Sequence, residues 1–120
     1  MLEKLLLVQK RINGEEAETF KTKWFGKYLT GDVTLVFGDD AYTLSFHKGT
    51  LIEVYKGIPL TGFDMGLSGT QEGWKEVYKH QIFQKAISNI GTLKLLGASL
   101  RVRSNLNPLA HLVRVLCKVV

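Results

Sequence analysis

The interval between apolar residues changes twice along this chain, from helical to alternating and back to helical. Leu2, Leu5, Leu6, Val8 and Ile12 recur at helical spacing, which predicts a helix over residues 1–12 that stops at Asn13-Gly14. Glu15, Glu16 and Glu18 suit the positive end of a second, short helix with Ala17, Phe20 and Trp24 on one face. From Val33 the period falls to two. Val33, Leu35 and Phe37 alternate with Thr34 and Val36; after a turn at Gly38-Asp39-Asp40, Tyr42, Leu44 and Phe46 alternate with Thr43, Ser45 and His47. Lys48-Gly49 turns the chain into a third strand over residues 50–56, and Gly57-Ile58-Pro59 ends it. Phe63, Met65 and Leu67 then alternate with Asp64, Gly66 and Ser68. Strands at 33–37, 42–47, 50–56 and 62–68 with turn chemistry between them predict an antiparallel meander with one packed and one more polar face.

Thr70 is placed to cap a helix that carries Glu72 in its first turn and the stripe Trp74, Val77 and Tyr78. Phe83, Ala86, Ile87 and Ile90 form a second stripe out of phase with the first, so two short helices are expected to meet near His80-Gln81. Residues 93–96, Leu-Lys-Leu-Leu, read as a fifth strand. The roughly 20 residues before it suffice for a crossover, which would let it pair parallel to a neighbour. Asn107-Pro108 opens the last helix. Leu109, Leu112, Val113, Leu116 and Val120 share one face, flanked by Val115 and Val119 on one side and by Ala110 and Cys117 on the other. Only His111, Arg114 and Lys118 form a polar strip. That apolar arc is about twice the roughly 100° stripe of a helix packed on one side. The helix is therefore expected to meet a second apolar surface, a ligand or a partner subunit, besides the core.

Composition narrows the class. Of the 120 residues 45% are apolar and 22% charged, the balance of one globular domain over 1–120. No stretch approaches the roughly 20 apolar residues of a membrane span. The N-terminal apolar run is too short for a signal peptide, so a reduced, cytoplasmic protein is expected. A single cysteine, Cys117, excludes an internal disulfide and a Cys-rich zinc site. His47, His80 and His111 lie too far apart in sequence for a close-spaced metal motif, and neither metal nor cofactor is expected. Charge is uneven: residues 1–60 carry eight basic and eight acidic side chains, residues 61–120 eight and three, and no carboxylate side chain follows Glu76. Lys94, Arg101, Arg103, Arg114 and Lys118 lie in that stretch, a basic surface suited to an anionic membrane, an acidic protein or nucleic acid. The aromatics are not interleaved with these cations as a base-stacking platform would need, which disfavours nucleic acid. No catalytic constellation stands out. Ser68 lacks the Gly-x-Ser-x-Gly elbow, Asp39-Asp40 and Glu15-Glu16 suit a turn and a helix start, and His47, His80 and His111 read as surface residues. Cys117 reads as a small buried hydrophobe.

Three features in order then carry a resemblance. They are a strand reading Gly62-Phe63-Asp64-Met65-Gly66-Leu67-Ser68-Gly69, a helix opening Thr70-Gln71-Glu72-Gly73-Trp74, and Gly91-Thr92-Leu93-Lys94-Leu95-Leu96-Gly97 ahead of an apolar C-terminal helix. Over residues 30–120 this resembles the sterol-carrier-protein (sterol-transfer) domain family, as a small stand-alone prokaryotic-type member. Ala98 departs from the acidic or amide residue many members carry there, and the end, Lys118-Val119-Val120, is no peroxisomal address. The resemblance implies an α+β fold, a five-stranded mostly antiparallel sheet covered on one side by helices and enclosing an apolar tunnel. It divides the chain into a helical part (1–29), the meander (30–69), crossover helices (70–91), a strand (92–97) and a C-terminal helical part (98–120). It also implies non-catalytic binding or transfer of a fatty acid, acyl chain, sterol-like molecule or other lipid. Candidate tunnel residues are Trp24, Phe37, Phe46, Phe63, Met65, Trp74, Phe83, Leu109, Leu112, Val113 and Leu116. The alternative is an interaction module of the same fold, filled by its own side chains and dimerising through its last helix.

Overall fold

The computed structural model describes residues 1–23, 26–80, 93–97 and 106–120. Five strands form one sheet: β1 (Gly31–Phe37), β2 (Asp40–His47), β3 (Thr50–Lys56), β4 (Met65–Gly69) and β5 (Lys94–Gly97), in the order β3-β2-β1-β4-β5. Among the described residues the α-helices are α1 (Leu2–Asn13), α2 (Gln71–His80) and α3 (Leu106–Val119). A π-turn at Thr19–Lys23 and a 3-10 turn at Gly26–Tyr28 stand where a second N-terminal helix was expected. The strand register puts Val33 beside Leu44 and Met65, Leu35 beside Tyr42 and Leu67, and Phe46 beside Leu51. These side chains and Phe37 are buried on one face of the sheet, beneath the helices. On α1 the buried positions are Leu5, Val8 and Ile12, whereas Leu2, Leu6 and Leu7 remain partly exposed.

The meander ends after three strands. β4 does not turn back beside β3; it crosses to the far side of β1 and runs parallel to it. Residues 57–64 make that crossing. They traverse three strand spacings, about 14 Å, well within the roughly 25 Å that a segment of this length reaches when extended. The crossing lies over the face opposite the helices, where the Thr43 hydroxyl donates to the Gly57 carbonyl at 2.8 Å. With that proton committed, the Thr34 hydroxyl donates to Thr43 Oγ1 at 3.0 Å. Both threonines are fully buried although they alternate with the core positions.

Asp64 lands the crossing. Its amide donates to the Asp32 carbonyl at 3.0 Å, and its Oδ2 accepts from the Asp32 amide at 2.8 Å. Asp32 Oδ1 in turn accepts from Ser45 Oγ at 2.5 Å. The chain is tight here. Gly97 has φ +113, and a Cβ on it would lie 2.6 Å from the Asp64 carbonyl oxygen. β5 pairs antiparallel with β4, not parallel to a neighbour as the sequence suggested. A connection long enough for a crossover can equally return the chain in the opposite direction, so its length leaves the direction undecided.

The outer edge of β3 is closed by α1. Asn13 Nδ2 donates to the Leu51 carbonyl at 2.8 Å, and Asn13 Oδ1 accepts the Leu51 amide at 2.9 Å, so the side-chain amide imitates a neighbouring strand. Gln9 Nε2 adds bonds to the carbonyls of Leu51 and Ile52. Asn13→Ala is expected to lose about 1–3 kcal/mol by stranding the Leu51 groups, read by urea unfolding. Gly97→Ala is expected to cost at least as much through its positive φ and its clash with Asp64, about 1–3 kcal/mol; a wild-type midpoint in the same titration would contradict it.

Candidate functional site

Most of the tunnel candidates among the described residues lie between the sheet and the helices, where their packing is set by how α2 and α3 are held. Thr70 Oγ1 accepts the Gly73 amide at 2.9 Å, the N-cap expected from the sequence. The first turn of α2 is then tied to the end of β1. Gln71 Nε2 donates to the Phe37 carbonyl at 2.8 Å and the Trp74 indole N–H to the Val36 carbonyl at 2.7 Å. The Trp74 ring packs 4.4 Å from that of Phe37, centroid to centroid, and 6.1 Å from that of Tyr78. A second aromatic group lies under α3, where Phe20 sits 5.8 Å from Phe46 and 5.9 Å from the His111 ring.

Phe37, Phe46, Met65, Trp74, Leu109, Leu112, Val113 and Leu116 are all buried in one hydrophobic cluster. Phe63 is only half-buried and stands outside that cluster, because it belongs to the crossing segment and not to β4. Trp24 and Phe83 lie outside the described residues, as do Arg101 and Arg103. Lys94, Arg114 and Lys118 are exposed.

The wide apolar arc of α3 is covered largely within the chain. Val115 is fully buried, Ala110 nearly so, and Val119 and Cys117 are half-buried. α1 packs against α3, and on the opposite flank the Cys117 thiol approaches the Val77 carbonyl of α2 at 4.0 Å. Burial pushes the Cys117 thiol up to about 11, so it stays protonated at neutral pH. Burial also raises the Tyr78 hydroxyl above its ordinary range, with a smaller contribution from Cys117.

His111 is not the surface residue its place in the polar strip suggested. It is 2% exposed, and its Nε2 lies 3.1 Å from Glu16 Oε2. Lys118 Nζ donates to the other Glu16 oxygen at 2.9 Å. Glu16, read from the sequence as a helix-start residue, instead fastens the segment after α1 to one edge of α3. No sequence signal pairs positions so far apart. The hydrogen bond from Lys118 holds the Glu16 carboxyl below its usual range despite partial burial. Desolvation lowers His111, outweighing the opposing pull of Glu16, while Lys118 and Arg114 push the same way as burial.

Beside this cluster, the ends of α1 and α3 frame a groove of about 580 Å³ lined by Leu7, Lys10, Arg11, Gly14, Glu15, Lys118 and Val119. Arg11 is paired with Glu15 at 3.2 Å. Among the described residues no three His, Cys, Asp or Glu side chains come together as a metal site, and no helix is long and apolar enough to cross a membrane.

A mixed five-stranded sheet with one helical layer, closed by a last helix that is apolar over most of its circumference, defines the sterol-carrier-protein fold, and this chain has it. The chain is similar over its whole length to a crystal structure of sterol carrier protein 2, with a TM-score of 0.78 and 17% identity, covering 98% of that chain. A conserved hypothetical protein from Thermus thermophilus, described as possibly a sterol carrier protein, matches 93% of this chain over 80% of its own length, with a TM-score of 0.64 and 18% identity. Sterol carrier protein 2 from Yarrowia lipolytica in its apo form matches at 0.55 and 11% identity, over 90% of this chain and 84% of that one. No family model matches the sequence, and no curated protein matches it either.

Two outcomes follow from α3. Val115→Asp places an unpaired carboxylate at a fully buried position and is expected to remove more than about 3 kcal/mol of stability, visible as loss of the folded state in thermal melts. The His111 and Glu16 shifts both make stability fall on acidification. His111 contributes fully above its unfolded value of 6.5 and loses that contribution as pH falls through its lower folded value. Glu16 does the same below 4.5. His111→Gln retains a hydrogen-bonding side chain without titrating. It should flatten the decline in melting temperature just below pH 6.5 and keep the decline at lower pH. An unchanged profile would show that His111 does not control it.

Proposed function

We propose that this protein binds a hydrophobic ligand without chemical conversion, holding a fatty acid, acyl chain, sterol-like molecule or other lipid in an apolar tunnel between the sheet and the helical layer. The observation that carries the reading is the likeness of fold to sterol carrier protein 2 across the full length of both chains. The interior chemistry agrees with it. The walls contributed by Phe37, Phe46, Met65, Trp74 and α3 are apolar, as a site for a largely hydrocarbon ligand requires. Among the described residues, His111 is engaged by Glu16 and the Cys117 thiol is held protonated.

A lipid ligand has to be collected and delivered, and the groove between α1 and α3, where Arg11 pairs with Glu15 and Lys118 with Glu16 but Lys10 stands beside Leu7, offers a surface for that. Lys10, Arg11 and Lys118 stand beside Leu7, which is 50% exposed, with Leu6 nearby on α1 at 45%. Cations next to exposed leucines suit an anionic bilayer surface. The alternative, dimerisation through α3, has less to support it, because Val115 is fully buried, Ala110 nearly so, and Val119 and Cys117 half-buried within the chain itself.

Organic extraction of the purified protein followed by mass spectrometry is expected to recover lipid, and a fluorescent long-chain fatty acid is expected to bind saturably at one equivalent per chain. Absence of both would overturn the proposal. Association with vesicles should rise with anionic lipid content, fall with salt and weaken in Lys10→Glu. Equal binding to neutral and anionic vesicles would remove the membrane role and leave ligand binding standing.

A further inference from the structure

Resting on the binding reading above, we infer that the Tyr78 hydroxyl is the polar anchor of the ligand, donating a hydrogen bond to an oxygen at the ligand's head, so that oxygenated chains are preferred over plain hydrocarbon. Tyr78 stands on α2 beside α3, with its ring against Trp74. Its hydroxyl oxygen is shut off from water and has no hydrogen-bond partner among the described residues. A buried polar group left in that state costs about 1–3 kcal/mol, and such groups are rare in folded proteins.

Among the described residues, two nearby polar groups are already committed. The Trp74 N–H is given to the Val36 carbonyl, and the Cys117 thiol points to the Val77 carbonyl. A trapped water needs two to four polar partners, and among the described residues the Trp74 N–H and the Cys117 thiol are already used. One oxygen carried in on an otherwise apolar molecule needs no other partner than the phenol. Burial holds the phenol protonated, so it is a donor at any physiological pH. A carboxyl, hydroxyl or ester oxygen fits this position; a hydrocarbon terminus leaves the hydroxyl unsatisfied.

The test compares a long-chain fatty acid, the alcohol and the hydrocarbon of matching chain length, each delivered from cyclodextrin and titrated calorimetrically into wild type and Tyr78→Phe. Wild type is expected to favour the acid and alcohol. Tyr78→Phe should weaken both by roughly three- to tenfold, the net value of one hydrogen bond, and leave the hydrocarbon unchanged. Without ligand, the variant is expected to melt no lower than wild type, because the hydroxyl it loses had no partner. Equal affinities in the two proteins, or an equal loss for all three chains, would overturn the anchor and leave hydrophobe binding intact. A wild type that binds none of the three overturns both readings. A ligand-free variant that melts well below wild type overturns the premise that the hydroxyl is unpartnered in the empty protein.

Discussion

A helix that is apolar over most of its circumference has to be covered on three sides, and α3 imposes that demand on the rest of the chain. Its Leu109, Leu112, Val113 and Leu116 are buried in the core it shares with the sheet. α1 packs on one flank, near Val119, and α2 on the other, near Cys117. Even its polar strip is partly enclosed, since His111 is buried against Glu16 from the segment that follows α1. The α1 helix is held from two directions, by this packing and by Asn13 and Gln9 on the open edge of β3. Burial of this kind gives the helical layer its position without any covalent link.

The sheet solves a second problem. β1 is bonded on both sides, antiparallel to β2 and parallel to β4, so it forms the middle of the core. The parallel pair requires a crossing, and the crossing must leave no buried backbone or hydroxyl group unpaired. Thr43, Thr34, Asp64 and Asp32 meet that requirement on the outer face. Among the described residues, the helices are thereby free to occupy the other face.

Among the described residues, the polar side chains buried between the sheet and the helices are few. His111 is engaged by Glu16, and the Trp74 indole N–H is spent on the Val36 carbonyl. Tyr78 is the buried hydroxyl left without a partner among the described residues. In such an interior a single hydrogen bond made or missed outweighs a small difference in apolar contact.

The alternating run from Val33 to Phe46, the capping threonine before α2 and the apolar last helix were legible in the sequence, because each depends on periodicity or on groups a few residues apart. The order of motifs from Gly62 to Gly97 was enough to point to the fold. Strand neighbours were not legible: Gly57-Ile58-Pro59 marks the end of β3 but not the side of the sheet to which the chain goes next. The apolar interior was partly legible. Large apolar side chains could be named, but Phe63 fell outside the core because the crossing segment holds it, and His111 took the look of a surface residue from its place between cations. Local spacing reports which face a side chain occupies on its own element. Only the packed structure decides what lies opposite, and that is why Glu16 meeting His111, α1 closing the edge of β3 and the isolation of the Tyr78 hydroxyl emerged from tertiary contacts between residues distant in sequence.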